Sequence, residues 1–454
     1  MFTAVNPATG ESGASYPPMT AAELRQALRT AERAALDWRR TSHTERAGLL
    51  RQTGTLLRER ADRFAQLMAV EMGKPLADGR REAEKCATVC DYYAENGARL
   101  LADELITTDA TRSLVHYEPL GAVLAVMPWN FPFWQVFRFV APSLMAGNVG
   151  LLKHAANVPG CGIAIADLLV DAGFPAGVFQ NLLIDHTQLR SVIRHKAVRA
   201  VTLTGSTAAG RIVARQAGDR LKKTVLELGG SDAYIVLADA DIELAVETCV
   251  TSRLINAGQS CIAAKRFIVV PEVQGEFERR SVARMAQTRM GDPLDDATDM
   301  GPQARIDLRD TLHAQVTSSM ARGARCLLGG TIPPGPGAFY PPTVLTDVKK
   351  GMAAFDEETF GPVAAIVPVR NEAAAIRAAN DSVFGLGAAV FTRDVTRGER
   401  IAAEDLAAGS CFVNALVKSD ARLPFGGIKD SGYGRELGPH GIREFVNVKT
   451  VYVR

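Results

Sequence analysis

The sequence predicts an α/β protein with two large domains. Its 454 residues exceed the length that a single hydrophobic core usually sustains. From residue 121 onward, short apolar runs such as GAVLAVMP and AVRAVTLTG alternate with helical stretches at 158–172 and 207–217. This alternation is typical of parallel βαβ units. A second α/β region, from about 227 to 425, includes the strand KRFIVV.

The amino-terminal part is predicted to be helical. Thr20 and Glu23 have the spacing of a capping box, and apolar residues such as Leu24 and Leu28 follow at helical spacing. Two further helical segments end near Gly73.

Composition indicates an ordinary globular enzyme with no nucleic-acid partner, because 52 Lys and Arg residues balance 50 Asp and Glu residues. The cluster Arg80-Arg81 beside Glu82 and Glu84 is typical of a solvated helix face. The start MFTAVNPATGE does not resemble a secretory signal. The seven cysteines form no C-x-x-C pair and suit a reducing compartment, which predicts a cytoplasmic protein.

Residues 121–147 could be mistaken for a membrane span. Prolines at 128, 132 and 142 interrupt any helix there, and Arg138 places a charge in the middle, so we predict a buried strand, a loop and a helix, with no membrane association. Cys86 and Cys90 share a helix face without nearby histidines, which favours packing over a metal site.

The carboxyl-terminal run EFVNVKTVYVR alternates as a strand does. An exposed terminal strand needs a partner. Our hypothesis is that it extends a sheet in a neighbouring subunit, which fits a homodimer or homotetramer.

Cys261 is the first candidate for chemistry. It lies in the small-residue turn NAGQSCIAAKR before a strand. A free thiol has a pKa of about 8.5, so a nucleophilic role needs a site that lowers it, for example a helix terminus or a cofactor charge. A single cysteine is also compatible with a small buried apolar residue.

Three further features are ambiguous on their own. Glu227 ends the apolar run VLE before two glycines, where burial would suit a general base, although a cap or an ion pair fits equally. Asn130 between two prolines is either an oxyanion donor or a turn residue. TLTGSTAAG ends a strand and opens a helix, as a phosphate site does, but it lacks the G-x-G-x-x-G pattern.

Taken together, these pieces are specific. The order of MPWNFP, LLKH, LTGSTAAG, LELGG, GQSC, EETFGPV and PFGGIKDSGYGRE resembles the aldehyde dehydrogenase superfamily over essentially the whole chain. The resemblance implies that fold: a Rossmann-like cofactor-binding domain, an α/β catalytic domain and a small β oligomerisation element. Their expected bounds are 1–106 with 120–226, 227–425, and 107–119 with 438–454.

The resemblance also implies catalytic roles. Cys261 would attack the aldehyde, Asn130 and the cysteine N–H would hold the oxyanion, and Glu227 would activate water to hydrolyse the thioester.

For the cofactor, the resemblance assigns Lys153 to the adenine-side ribose. Gly205, Ser206 and Gly210 are assigned to the pyrophosphate loop and helix start. Trp129 and Leu228 are assigned to the cleft, and Glu358 and Phe360 to the nicotinamide ribose and ring.

Ala156 departs from the pattern of many NAD-preferring relatives, which carry a glutamate three residues after the lysine. Without that carboxylate a 2′-phosphate has room, and Lys153 can balance its charge. We therefore expect NADP⁺ to be preferred and NAD⁺ to be accepted.

The motifs look most like the branch that acts on succinate semialdehyde. There, Arg138 and Ser419 would bind the far carboxylate, with Lys418 or Arg422 as further partners. A second arginine of some members is replaced by Ile255, with Arg253 two positions earlier. Arg138 could instead form a structural ion pair.

Other functions stay open at this stage. They are oxidation of glutarate semialdehyde or another small aliphatic aldehyde, and acyl transfer to CoA. Glu227, as the base for hydrolysis, disfavours CoA as the acceptor of the acyl group. The presence of Cys261, Asn130 and Glu227 disfavours a catalytically silent homologue.

Overall fold

A computed structural model of the chain describes residues 1–454. It contains a seven-stranded, a six-stranded and a three-stranded sheet and two two-stranded pairs, all surrounded by helices. The predicted α/β class is therefore confirmed. No helix combines the length and the apolar character that crossing a membrane requires.

The strands are numbered in chain order. They are β1 (Phe2–Val5), β2 (Ser12–Tyr16), β3 (Glu104–Leu105), β4 (Arg112–Pro119), β5 (Ala122–Val126), β6 (Val149–Lys153), β7 (Phe179–Asn181), β8 (Val198–Thr204), β9 (Lys223–Glu227), β10 (Asp232–Val236), β11 (Ala264–Val269), β12 (Arg325–Leu328), β13 (Thr343–Thr346), β14 (Val363–Pro368), β15 (Phe384–Gly385), β16 (Gly387–Phe391), β17 (Ser410–Val413), β18 (Ile428–Lys429), β19 (Gly432–Tyr433) and β20 (Val446–Val453).

The α-helices are numbered in the same way. They are α1 (Ala21–Trp38), α2 (His43–Glu59), α3 (Ala61–Met72), α4 (Leu76–Leu100), α5 (Trp134–Met145), α6 (Pro159–Asp171), α7 (His186–Arg194), α8 (Thr207–Gly218), α9 (Ile242–Leu254), α10 (Pro271–Ala286), α11 (Ile306–Ala321), α12 (Ala353–Asp356), α13 (Glu372–Asn380), α14 (Val395–Arg400) and α15 (Gly438–Arg443). A 3-10 segment spans Ile255–Gly258, and a π-helical turn spans Ile401–Asp405. The predicted capping box of Thr20 and Glu23 begins α1.

The six-stranded sheet has the order β19-β9-β8-β5-β6-β7, in which only β19 runs antiparallel to its neighbour. Residues 121–147 supply β5, a loop and α5, as predicted, and all 12 residues of α5 are buried. The apolar character of this stretch therefore reflects burial inside the protein, in a core of 70 residues.

The seven-stranded sheet has the order β12-β13-β14-β11-β10-β16-β17 and is parallel except for β12. It has its own core of 42 residues. Since β9 ends at Glu227 and β10 begins at Asp232, residues 228–231 carry the chain from one sheet to the other. This crossing places the end of β9 close to both cores.

The carboxyl-terminal run forms a strand, as its alternation predicts. β20 pairs antiparallel with β4 of the same chain, from Val446 opposite Pro119 to Val453 opposite Arg112, and its extension of a sheet in a neighbouring subunit stays a prediction. In this sheet, with the order β20-β4-β3, β20 is an edge strand. The inner edge of β20 thus pairs with β4, and the backbone groups on its outer edge have no partner strand within the chain.

Candidate active site

Cys261 lies at the junction of two cavities. It follows the 3-10 segment and precedes β11. One cavity, of about 510 Å³, is lined in part by α4, and we call it the α4 cavity. The other, of about 240 Å³, is lined in part by residues that follow β8, and we call it the β8 cavity. A nucleophile in this position can meet one reactant from each side.

The loop that carries Cys261 has an unusual backbone. Asn256 and Ala257 have φ values of 54° and Gly258 has a φ of 74°, so three consecutive residues are left-handed. Such strain persists only where surrounding contacts enforce it. Here Arg253 Nη2 donates to the Gly258 carbonyl oxygen at 2.6 Å, and Gln303 Nε2 donates to that of Ala257 at 3.1 Å. These buried donors fix the loop ahead of the cysteine.

The Cys261 thiol is held in its neutral form. Burial raises the pKa of the Cys261 thiol to about 12, while the charges of Arg138 and Lys265 oppose that rise. Of the two influences expected to lower this pKa, a helix terminus and a cofactor charge, the first is not provided by the adjacent helical segment, because Cys261 follows its carboxyl end. Formation of the thiolate therefore requires a nearby base or a bound charge.

Glu227, the base that the sequence predicts, lines neither the α4 cavity nor the β8 cavity. It ends β9, is 1% exposed, and neither of its carboxylate oxygens has a hydrogen-bond partner. Burial, followed by the nearby Glu436 carboxylate, raises the pKa of Glu227 well above its ordinary value, and Arg138 opposes the rise. Its charge also acts on the pKa of Cys261. A carboxylate of this kind takes up a proton readily.

Asn130 lines the β8 cavity together with Cys261. Its Nδ2 donates to the Gln259 carbonyl oxygen at 3.0 Å, and Asn256 Nδ2 donates to the Asn130 carbonyl oxygen at 2.7 Å. An amide NH₂ group has two hydrogens, so one remains available after the bond to Gln259. These bonds hold the Asn130 amide in one orientation. Its remaining hydrogen can donate to an oxyanion that forms beside the thiol.

A third cavity, of about 630 Å³, extends from Trp129 and Gly205 to the β1–β2 hairpin, and we call it the amino-terminal cleft. Lys153 and Ala156 both line it. Asn157 also lines it, and its buried Nδ2 has no hydrogen-bond partner. The Lys153 ammonium group and the Asn157 amide can both donate to a phosphate, and Ala156 places no carboxylate beside it. This part of the cleft therefore suits the adenosine end of a dinucleotide that carries a 2′-phosphate.

The amino-terminal cleft and the β8 cavity share Trp129, Thr204 and Gly205. Ser206 caps α8, with its Oγ accepting from Ala209 N at 3.3 Å. Leu228 lines the β8 cavity. Gly210 lines none of the three cavities. A Cβ atom there would lie 2.5 Å from a Leu228 methyl carbon, so it allows α8 to pack closely.

The far wall of the β8 cavity contains Glu358 and Phe360. Glu358 accepts from Gly230 N at 2.9 Å and lies 3.8 Å from Lys265 Nζ. Burial raises the pKa of Glu358, and Lys265 opposes the rise. Trp129 and Phe360 meet edge to face, with ring centroids 5.8 Å apart. A ribose hydroxyl and a flat ring would both find complementary groups here, so the adjoining cavities fit a nicotinamide dinucleotide.

Arg138 combines the two roles that the sequence leaves open. It lines the α4 cavity, yet it also forms a buried ion pair with Glu436 and donates to Thr204 Oγ1 at 3.3 Å. Its guanidinium carbon lies 4.8 Å from the centre of the Phe425 ring. Contacts within the protein therefore neutralise much of the positive charge of Arg138.

The other expected carboxylate ligands are placed differently. Ser419, Lys418 and Ile255 line the α4 cavity. Arg422 does not, because it is exposed and pairs with Asp420 at 2.7 Å. Arg253 is fully buried and bonds to the loop before Cys261, so it contributes to loop structure.

Sequence reasoning missed several residues near the site. Glu82, assigned above to a solvated helix face, is buried, pairs with Lys74 and accepts from the backbone N–H groups of Phe133 and Trp134, each at 2.9 Å. That interpretation is wrong for Glu82, although Glu84 is exposed. Lys85 and Glu436 were missed as well. No spacing in the sequence marks them, because their partners lie far away along the chain.

No group of three or more His, Cys, Asp or Glu side chains is arranged to hold a metal ion. The site combines a thiol, a carboxylate and an amide next to a dinucleotide-shaped cleft.

Comparison with known proteins agrees with this arrangement. The model of the aldehyde dehydrogenase family matches residues 1–451. A succinate-semialdehyde dehydrogenase [NADP(+)] of Mycobacterium tuberculosis is 49% identical over 452 residues, 99% of each chain. The Escherichia coli succinate semialdehyde dehydrogenase [NAD(P)+] Sad is 48% identical over 99% of this chain and 97% of its own.

Two solved structures show the same fold. Succinic semialdehyde dehydrogenase from Streptococcus pyogenes, in complex with NADP⁺, is 36% identical and superposes over 100% of both chains with a TM-score of 0.97. Lactaldehyde dehydrogenase from Escherichia coli is 34% identical and superposes over 99% of this chain and 95% of its own, with a TM-score of 0.96. Since relatives with different names share the fold, the substrate must be argued from the α4 cavity.

Proposed function

The chain belongs to the aldehyde dehydrogenase family, and from this membership we propose that it oxidises succinate semialdehyde to succinate, with NADP⁺ preferred and NAD⁺ accepted. The observation that carries the proposal is the position of Cys261 between a dinucleotide-shaped cleft and a cavity with basic side chains. The names of the relatives from Mycobacterium tuberculosis and Escherichia coli support the substrate and both cofactors.

The first step forms a covalent adduct. The Cys261 thiol gives up its proton to solvent, and Sγ then attacks the aldehyde carbon while the C=O electron pair moves onto oxygen. Asn130 Nδ2 and the backbone N–H of Cys261 donate to this oxyanion, an interaction worth about 3–4 kcal/mol per donor. The bound nicotinamide supplies the two-electron oxidation that turns the adduct into a thioester.

The second step releases the acid. Glu227 takes one proton from water as the water oxygen attacks the thioester carbon, and the C–S bond breaks to return the Cys261 thiolate. Its burial suits this task, because a carboxylate with few hydrogen-bond donors around it is a stronger base than one in water.

Cofactor choice is assigned to the amino-terminal cleft. Lys153 is nearly fully buried and lines the cleft with Ala156. A 2′-phosphate would gain a charge-assisted contact with Lys153 and would meet no carboxylate at position 156. The ribose of NAD⁺ fits the same space with fewer contacts, so we propose that NAD⁺ is the weaker acceptor.

The test is the initial rate of reduced-nicotinamide formation with NADP⁺ and with NAD⁺. Succinate semialdehyde is compared with glutarate semialdehyde and with butanal, an uncharged aldehyde of the same four-carbon length. We expect kcat/KM to be highest for succinate semialdehyde with NADP⁺ and to be independent of added CoA. Equal values for butanal would refute the substrate, and a requirement for CoA would refute hydrolysis by Glu227.

We further propose that the protein is a cytoplasmic homodimer or homotetramer. All seven cysteines are free, which fits a reducing compartment. The outer edge of β20 has no partner within the chain and carries exposed Val448 and Tyr452, so a second copy can cover it. Light scattering coupled to gel filtration measures the mass, and a monomer would contradict the assignment.

A further inference from the structure

The charges around the α4 cavity do not balance. Five cationic side chains line it: Lys74, Arg81, Lys85, Arg138 and Lys418. Three of these form ion pairs with carboxylates of the same chain, in the pairs Lys74–Glu82, Arg81–Asp78 and Arg138–Glu436. Lys85 and Lys418 form none. Lys418 is exposed, whereas Lys85 is half-buried, so Lys85 is the cation of the cavity that lacks both a carboxylate and full hydration.

Lys85 is held in place by two contacts. Its Nζ donates to Ser419 Oγ at 2.7 Å and lies 4.2 Å from the centre of the Trp134 ring. This is the one hydrogen bond that the Ser419 hydroxyl makes with the protein, so its own hydrogen remains free to donate. Two further hydrogens of the ammonium group are free as well. Together the pair presents a positive charge and several unused donors inside a cavity that also contains Cys261.

Arg138 is less suited to be the main ligand of an anion. Glu436 already neutralises it, and one face of its guanidinium contacts Phe425. A carboxylate that approached Arg138 would compete with Glu436 in a buried environment. Lys85 offers its charge without such competition.

We propose that Lys85, together with Ser419, binds the carboxylate at the far end of the substrate and thereby sets the preference for semialdehydes with a charged tail. This inference rests on the proposed function, since it concerns the same reaction. It adds Lys85 to the recognition of the substrate's charge and leaves Arg138 in its ion pair with Glu436.

The electrostatic surroundings of Lys85 predict a pH signature. Burial, followed by the charge of Arg138 on α5, lowers the pKa of Lys85 to about 8. Cys86 and Glu82 on its own helix and Asp420 in the loop beyond Ser419 oppose that shift. Below this pH the ammonium group is charged and can bind a carboxylate, and above it the charge is lost. Selectivity for a charged substrate should therefore fall as the pH rises.

The experiment measures kcat/KM for succinate semialdehyde divided by kcat/KM for butanal. Effects on Cys261, Glu227 and the cofactor act on both substrates and cancel in this ratio. Three variants of the full-length enzyme are compared with wild type. Lys85→Met removes the charge, Lys85→Arg keeps it at all accessible pH values, and the control Lys196→Met removes a charge from a surface side chain that is 80% exposed.

We expect Lys85→Met to lower the ratio about 10- to 100-fold, the range typical of losing a charged hydrogen-bond partner. Lys196→Met should leave the ratio unchanged. The wild-type ratio should decline above about pH 8, the pKa of Lys85, whereas the ratio of Lys85→Arg should stay flat through that range.

Several outcomes would overturn the proposal, and they differ from failure of the proposed function. A wild-type ratio near one refutes succinate semialdehyde as the preferred substrate, and the role of Lys85 falls with it. A high wild-type ratio that survives Lys85→Met overturns the role of Lys85 alone, as does an equal loss for both substrates, which marks a structural role. If Lys85→Met does not fold, a wild-type ratio that is independent of pH overturns the proposal without any variant.

Discussion

The buried pair between Arg138 and Glu436 predicts a large loss of stability when the arginine alone is removed. The two side chains are 2% and 6% exposed, so water screens them little. Arg138→Met keeps much of the side-chain length but leaves Glu436 as an uncompensated buried charge. Breaking a buried ion pair in this way costs about 3–5 kcal/mol of unfolding free energy.

The loss should depend on pH with a definite sign. Burial already raises the pKa of Glu436, and Arg138 is the group that holds that rise in check. In Arg138→Met the folded-state pKa of Glu436 rises further above its unfolded value. The folded state then binds a proton more tightly than the unfolded state, so the variant gains stability as the pH falls and loses it as the pH rises.

The assay is urea unfolding of wild type, Arg138→Met, Glu436→Gln and the double variant, at about pH 6 and about pH 8. We expect the double variant to recover most of the loss, because glutamine at position 436 carries no charge that would be left buried without a partner. The reasoning is refuted if Arg138→Met unfolds within about 1 kcal/mol of wild type, or if Glu436→Gln brings no recovery in its background.

Three further outcomes are expected. Glu227→Gln should retain a first turnover of cofactor reduction in rapid-mixing experiments but lower the steady-state rate about 10²- to 10⁴-fold, since thioester hydrolysis needs the base; unimpaired steady-state turnover would contradict the role of Glu227. Ala156→Glu should lower kcat/KM for NADP⁺ roughly 10- to 100-fold and spare NAD⁺, because the new carboxylate repels the 2′-phosphate; equal losses would point to disruption of the cleft. Alkylation of Cys261 by iodoacetamide in the cofactor-free enzyme should rise about tenfold per pH unit past pH 9, because burial raises the pKa of this thiol to about 12. A plateau near neutral pH would show that the thiolate forms without help.

Much of the fold could be predicted because its signals are local. The apolar runs of β5 and β8 and the helices between them are visible as periodic patterns, and the capping box of Thr20 and Glu23 begins α1. The family that the seven motifs indicate is also confirmed. Cys261 and Asn130 line the same cavity, and Glu227 lies at the end of a buried strand, as the sequence predicts.

Features that depend on distant contacts could not be predicted. Glu82 resembles a surface residue among charged neighbours, yet it accepts hydrogen bonds from backbone N–H groups about 50 positions later in the chain. Lys85 meets Ser419 across 334 residues. The β1–β2 hairpin lines the amino-terminal cleft although neither of its short strands has a strong pattern. In each case tertiary packing decides the environment, and no local period encodes it.

One guanidinium, that of Arg138, acts on several titratable groups of the site. The charge of Arg138 lowers the pKa of Cys261, of Glu227 and of Glu436, and it also lowers the pKa of Lys85. The same charge thus favours the ionised forms of Cys261 and Glu227 and disfavours the charged form of Lys85, to which we assign binding of the substrate's carboxylate. Removing it should slow alkylation of Cys261 and move the pH-dependent loss of substrate selectivity to higher pH. These opposite effects follow from a single electrostatic cause, so they should appear together in Arg138→Met/Glu436→Gln, the variant that we expect to fold without this charge.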